Sequence, residues 1–307
     1  MKFSFLKKKF VFCFDVVLQS KILEIKGITM RKDGRRIKTS QPMYQVAMHV
    51  MAERNDSMNM IQLDIKQDPI RKYIRAKKEE DKIISHLAVI LAAYIRTVSE
   101  YPLLNRFIVN KRLYARNEIA IGMVVLKPND TEGTMNKMYF KPENTVFEVQ
   151  KILDDYVEKN RETGDTNSTD KLITFLLSIP GLCRFGVCLL KFLDKHNILP
   201  RKIIEASPFH CSMTITNLAS IGTNYIYHHV YNFGTTSMII AMGKTKEKPV
   251  KHHDNIEFEK VIPLGIVMDE RIASGCQYAI AFKRMEHFLT HPEELEVPPE
   301  KVIEDIR

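Results

Sequence analysis

Apolar residues recur at helical spacing most clearly between Asp81 and Glu100. Ile84, Leu87, Ala88, Leu91, Ala92, Ile95 and Val98 form one stripe there, and Asp81 is placed to cap the helix. A second helix is expected from Pro42 to Arg54, with Met43, Val46, Ala47, Val50 and Met51 on one face, and a short one from Pro69 through Ile70, Tyr73 and Ile74. A third amphipathic stretch runs from Thr145 to Glu162. Between these, period-two or continuous apolar runs predict strands at Met58–Ile65, Ile119–Leu126, Met135–Lys141, Thr235–Gly243 and Glu257–Val267. Leu104–Tyr114 reads as a hairpin turning at Asn110-Lys111, and Ser207–Gly222 as a strand leading into a glycine-containing loop. Strands and helices interleave along the chain, which predicts a mixed α/β domain.

Three stretches need separate treatment. Residues 1–29 read as an N-terminal extension, either a disordered tail or an edge strand. Lys7-Lys8-Lys9 and the apolar run Phe10–Leu18 imitate a signal peptide, but no convincing cleavage site follows and Asp15 interrupts the run. Met30 opens the better-patterned part of the chain and is a candidate start. Lys171–Leu193 is the most apolar stretch, but Pro180-Gly181 breaks it and Arg184 and Lys191 punctuate it. It is expected in the core or at a subunit interface rather than on a membrane surface. Residues 296–307, with the acidic, proline-containing run after Leu289, read as a solvated tail. The principal domain is therefore expected over 30–295.

Composition narrows the partner and the compartment. The 307-residue chain is 45% hydrophobic and 27% charged, with a formal net charge of +9. That balance suits a globular protein with an anionic partner, such as a phosphorylated cofactor or an acidic carrier. No aromatic-interleaved basic motif points to nucleic acid. The five cysteines, at 13, 183, 188, 211 and 276, are odd in number and include no C-x-x-C pair. Reduced thiols in a cytoplasmic protein fit better than a disulfide framework or a zinc ribbon. His210, Cys211, His228 and His229 fit no standard zinc spacing, so no metal is expected.

The densest chemistry lies at a strand-to-helix junction, Met268-Asp269-Glu270-Arg271-Ile272-Ala273-Ser274-Gly275. Gly275 is expected to relieve backbone strain there. The order resembles the active-site motif of the 2-oxoacid dehydrogenase acyltransferases and chloramphenicol acetyltransferase, His-x-x-x-Asp-Gly, preceded by Asp in the dehydrogenase branch. Asp269, Arg271 and Gly275 follow the pattern, but Glu270 stands in the place of the histidine and Ser274 in that of the aspartate. The hairpin Leu104–Tyr114 and the stretch Ser207–Gly243 add to the resemblance. Thr216-Asn217-Leu218-Ala219 falls where the family has a Ser-x-Leu-Gly segment.

The resemblance implies a chloramphenicol acetyltransferase-like fold, a two-layer sandwich of a mixed β-sheet with flanking helices, assembled as a homotrimer with active sites between subunits. It implies coenzyme A or acyl-CoA as co-substrate, a small-molecule acceptor or a lipoyl-type acyl carrier as partner, and a histidine base opposite a serine that hydrogen-bonds the oxyanion. Thr216 keeps a hydroxyl for that last role. Glu270 is a weak substitute for the base. An ordinary glutamate pKa of about 4.3 lies about four units below a thiol's of about 8.5, a deficit of roughly 5–6 kcal/mol unless an apolar pocket raises it. Alternative bases are His229, His228 and His210. Without an acid at 274, the bracing of Arg271 falls to Asp269, with Arg35 or Arg36 as a further basic partner. The expected function is acyl transfer with an altered or lost base. The alternative is a catalytically inactive trimer that binds an acyl-CoA or serves as a scaffold.

Overall fold

The computed structural model describes residues 31–38, 42–126, 133–162, 178, 180–253 and 255–305. In chain order they form β1 (Gly34–Arg36), α1 (Pro42–Val50), β2 (Met58–Lys66), α2 (Gln67–Glu79), α3 (His86–Glu100), β3 (Arg106–Val109), β4 (Arg112–Arg116), β5 (Ile119–Leu126), β6 (Gly133–Phe140) and α4 (Val146–Glu162). Then follow α5 (Leu182–Lys195), α6 (Arg201–Ala206), β7 (Met213–Asn217), β8 (Met238–Met242), β9 (Lys246–His252), β10 (Asn255–Asp269) and α7 (Gly275–Thr290). Residues 1–29, and with them the expected extension and Met30, lie outside the described residues, as does 171–177.

Seven strands make one mixed sheet in the order β2-β10-β8-β7-β5-β6, with β9 pairing the outer half of β10. β7 runs parallel to both β5 and β8, and the remaining pairs are antiparallel. Helices α2, α3, α4 and α7 pack together and onto this sheet. The expected two-layer sandwich with a mixed sheet is what forms. A second small sheet, β1-β4-β3, carries the expected hairpin. Asn110 and Lys111 both have positive φ (48° and 59°), the turn geometry whose twist matches two antiparallel strands.

β10 is buried from Val261 to Asp269 because both of its faces are covered. One faces the helical layer. On the other, Val230 from the loop after β7 packs with Ile239 and Val267, and Tyr225 lies over Gly265. A Cβ at Gly265 would come within 2.4 Å of the Tyr225 ring, so this glycine is what lets the loop close on the strand.

Helix α3 is buried from Leu87 to Ser99, consistent with its unbroken apolar run. Its cap differs from expectation. The helix starts at His86, and the Ser85 side chain accepts from the Ala88 N–H at 3.1 Å, while Asp81 sits in a left-handed turn at φ 59°. Gln150 Oε1 also accepts from the Ser85 N–H at 2.7 Å, so a contact from α4 fixes the start.

The apolar 171–193 stretch does break at Pro180-Gly181, where Gly181 has φ 81°. Its described half, α5, is not core: Phe185, Val187 and Leu189 are 55%, 41% and 44% exposed. Among the described residues no helix is long and apolar enough to cross a membrane.

The segment after Leu289 is not a free tail. Leu295 is buried, the Ile303 N–H donates to Ser99 O at 2.8 Å, and the Asp305 carboxylate takes a bidentate pair from Arg106 at 2.6 and 2.7 Å. Its acidic composition misled because Arg106, two hundred residues away, is the partner.

Candidate functional site

β10 carries the 268–275 segment out of the sheet and into α7. Asp269, the last residue of the strand, is fully buried. An isolated carboxylate there would be strongly unfavourable, and the surroundings compensate it. Arg271 Nε and Nη2 donate to Asp269 Oδ1 and Oδ2 at 2.8 and 2.7 Å, and the Arg271 N–H donates to Oδ1 at 3.0 Å. Ser57 Oγ donates to the same Oδ1 at 3.0 Å, and Arg54 Nε lies 3.6 Å from Oδ2. The backbone is held as well. Tyr278 donates its hydroxyl to Asp269 O at 2.8 Å, and the Glu270 N–H donates to Ser57 O, also at 2.8 Å. Asp269 thus does brace Arg271. Arg54 and Ser57, which pattern reading passed over, complete the network. No sequence periodicity marks them, because they reach the site from the turn before β2.

Arg54 is buried and donates to three backbone carbonyls, those of Tyr231, Gly234 and Ile108, at 2.8–3.0 Å. Burial pulls its pKa down to about 10, against the opposing pull of Asp269, so it stays charged at neutral pH. Two guanidiniums therefore face one carboxylate. The surplus charge borders a cleft of about 270 Å³ lined by Arg54, Arg271, Lys111, Lys191 and Lys195, with Glu53 and Asp194 the acids among its walls.

Glu270, by contrast, is exposed in the single chain, although its backbone is pinned. Ser274 has become a helix cap: its Oγ accepts from the Gln277 N–H at 3.1 Å while Gln277 Oε1 accepts from the Ser274 N–H at 2.9 Å. Gly275 is not the strain-relieving residue expected. Its φ is not in the left-handed region, and a Cβ there would meet nothing within 4 Å.

Thr216 sits half-buried on β7. Register places it beside Ala241 of β8, and Ala241 beside Gly265 of β10. Glu270 is five residues further along, about 16 Å at the usual rise per strand residue. Within one chain the two do not share a site. Asn217 uses its side chain to cap the short helical turn at Leu218–Ile221, accepting from the Ser220 N–H.

The alternative bases are dispersed. His228 and His229 lie on the loop between Tyr225 and Val230, alongside the 265–267 part of β10. His228 is half-buried, and burial lowers its pKa; His229 is exposed and stacks edge-on against Tyr231. His210 is 1% exposed and belongs to a second buried network. Its Nδ1 is 2.8 Å from Ser207 Oγ, and its Nε2 is 3.4 Å from Asp194, which also pairs with Arg31 at 2.7 Å. Arg35 reaches the C-terminal segment, donating to Asp305 O at 2.7 Å, and does not meet Ser274. Arg106 makes the nearer link, donating to Ile272 O in the turn at 3.5 Å while holding Asp305.

Residues 209–297 match the family model of the 2-oxoacid dehydrogenases acyltransferase (catalytic domain). No curated protein matches the chain. Among solved structures, a probable dihydrolipoamide acetyltransferase from Listeria monocytogenes superposes with a TM-score of 0.53 at 13% identity, covering 85% of this chain and 95% of that one. The Azotobacter vinelandii dihydrolipoamide acetyltransferase, in a study of a serine, a histidine and an asparagine in its catalytic mechanism, gives 0.55 at 14% identity, covering 85% and 94%. A chloramphenicol acetyltransferase gives 0.52 at 11% identity, covering 83% and 99%. The stretches 209–243 and 268–275 lie within the family match, the hairpin Leu104–Tyr114 lies outside it, and the overall fold is shared with these structures.

Proposed function

We propose that this chain, which carries the 2-oxoacid dehydrogenase acyltransferase sequence over residues 209–297 on a chloramphenicol acetyltransferase-like fold, binds an acyl thioester of the coenzyme A type between copies of itself and lacks the base that would turn it over. The carrying observation is the contrast within the turn. The brace beneath it is complete, whereas the position of the base holds an exposed carboxylate. A carboxylate is a weaker base toward a thiol than an imidazole unless an apolar pocket surrounds it, and within one chain Glu270 is exposed.

Two further features support the reading. Thr216 and Glu270 stand about 16 Å apart along the sheet, so a site using both requires a second copy, in keeping with a homotrimer. The cation-rich cleft behind Arg271 suits the phosphates of a coenzyme A-type ligand. An acyl carrier of the lipoyl type remains the natural acyl source or acceptor on this reading.

Calorimetric titration with acetyl-CoA, run beside a thiol-release assay, tests the proposal. Binding in the micromolar range is expected, with thiol release at background in the native protein and in Glu270→Gln. Glu270→His should raise the rate above background by restoring an imidazole on the intact brace. Rapid native turnover abolished by Glu270→Gln would overturn the loss of the base. Absence of binding at millimolar acetyl-CoA would overturn the ligand assignment.

A further inference from the structure

At the far end of α7 from the motif, three side chains converge that the site above does not use. His287 lies in the last turn of the helix, His291 caps its end, and Glu294 follows in the helical turn Pro292–Glu296. Each offers one ligand atom, and these atoms all lie within 4.8 Å of one another. The imidazoles of His287 and His291 stack with centroids 4.5 Å apart, and His287 Nε2 is 2.9 Å from Glu294 Oε1.

We propose that His287, His291 and Glu294 form a binding site for a divalent cation of the zinc class. Two histidines one helical turn apart present their rings on the same face, the spacing by which helices commonly hold zinc. Two imidazoles and one carboxylate make a borderline-soft donor set. It favours zinc over magnesium or calcium, which prefer all-oxygen shells. Bonds of about 2.0–2.1 Å would bring tetrahedral ligand atoms to about 3.4 Å apart. The present spacing closes to that through ordinary side-chain rotation, since all three side chains are at least partly exposed.

The backbone is already set for this arrangement. The Glu294 N–H donates to His291 O at 3.1 Å, Arg96 Nη1 donates to Glu294 O at 3.0 Å, and Pro292 and Leu295 are buried. His291 Nδ1 lies 3.1 Å from His287 O. A carbonyl on one ring nitrogen holds the other as the lone-pair donor, as at metal-bound histidines generally. The bound ion would join the end of α7 to the segment that leads to Asp305 and so to the Arg106 contact with the 269–274 turn. Its role is a staple rather than chemistry.

Metal-stripped full-length protein titrated with zinc chloride by calorimetry tests this, with magnesium chloride as the comparison and thermal melting as a second readout. One equivalent of zinc is expected, with no heat from magnesium and a rise in melting temperature. His291→Ala changes an exposed residue and should preserve the fold. It is expected to weaken zinc binding by more than about 100-fold, since loss of even an outer partner costs about 10–100-fold. Glu294→Gln should weaken it less, and His253→Ala, remote at the β9–β10 turn, not at all. No zinc binding at millimolar metal, or binding unchanged by His291→Ala, would leave only a surface His–Glu pair and overturn the site. The acetyl-CoA experiment is independent of either result.

Discussion

Asp269 and Glu270 are consecutive carboxylates with opposite surroundings. Asp269 is enclosed by Arg271, Ser57 and, slightly further off, Arg54. Glu270 has its backbone held by Ser57 and is exposed in the single chain. Asp269 is the last residue of a strand covered on both faces, whereas Glu270 is the first residue of the turn beyond it. The lesson is that the scaffolding of a site and its reacting group are separable. The buried brace resists change because each member compensates another's burial. The exposed position has no such constraint, so substitution there carries little structural cost.

The strongest way to break this contrast is Asp269→Asn. It leaves two guanidiniums clustered without their anion and should destabilise the fold by about 3–5 kcal/mol, read from urea unfolding. A loss below about 1 kcal/mol would show that the brace is not what holds the turn.

Acid tests the second buried network in the same spirit. Burial raises the Asp194 pKa, but the His210 hydrogen bond and the Arg31 charge more than offset it and bring it down to about 2. A carboxyl with a depressed folded-state value contributes stability that is complete above the unfolded value of about 3.9. That contribution is lost as pH falls toward 2. A loss of about 2 kcal/mol is therefore expected across that window, and Asp194→Asn should flatten the profile there. A profile unchanged by the substitution would assign the acid sensitivity elsewhere.

Smaller effects sharpen the picture at the turn itself. Ser274→Ala removes the helix cap and should cost about 1 kcal/mol, whereas Ser274→Asp, which keeps a capping oxygen, should stay close to native. If alanine and aspartate destabilise equally, capping is not the role of this residue. Glu270→Gln should change stability by no more than about 0.5 kcal/mol, as surface substitutions generally do. A larger loss would mean that Glu270 carries a structural contact and is not a free outward position.

Much of this was legible beforehand. The strands with continuous apolar runs, the Asn110-Lys111 turn, the Pro180-Gly181 break and the Asp269–Arg271 brace all follow from local pattern or from the motif. The misses share a cause. Ser85 displaced Asp81 as the cap because Gln150 holds the Ser85 backbone. α5 is exposed in the single chain, which leaves the core half of the core-or-interface expectation unmet, because an apolar run does not say which neighbours are available to cover it. The segment up to Asp305 is docked because Arg106 and Ser99 receive it. Each depends on a partner far away in sequence.

What the sequence determined by itself was the order and type of the long helices and the central strands and the identity of the residues at the motif, since these rest on periodicity and on residues close together in the chain; β1, β9 and α6 were not among them. Only the tertiary structure decided that Arg54 and Ser57 complete the brace, that Thr216 and Glu270 lie apart within one chain, and that His287, His291 and Glu294 meet. Side-chain burial and pairing across the chain follow from sheet register and helix packing, and those are set by the whole core at once.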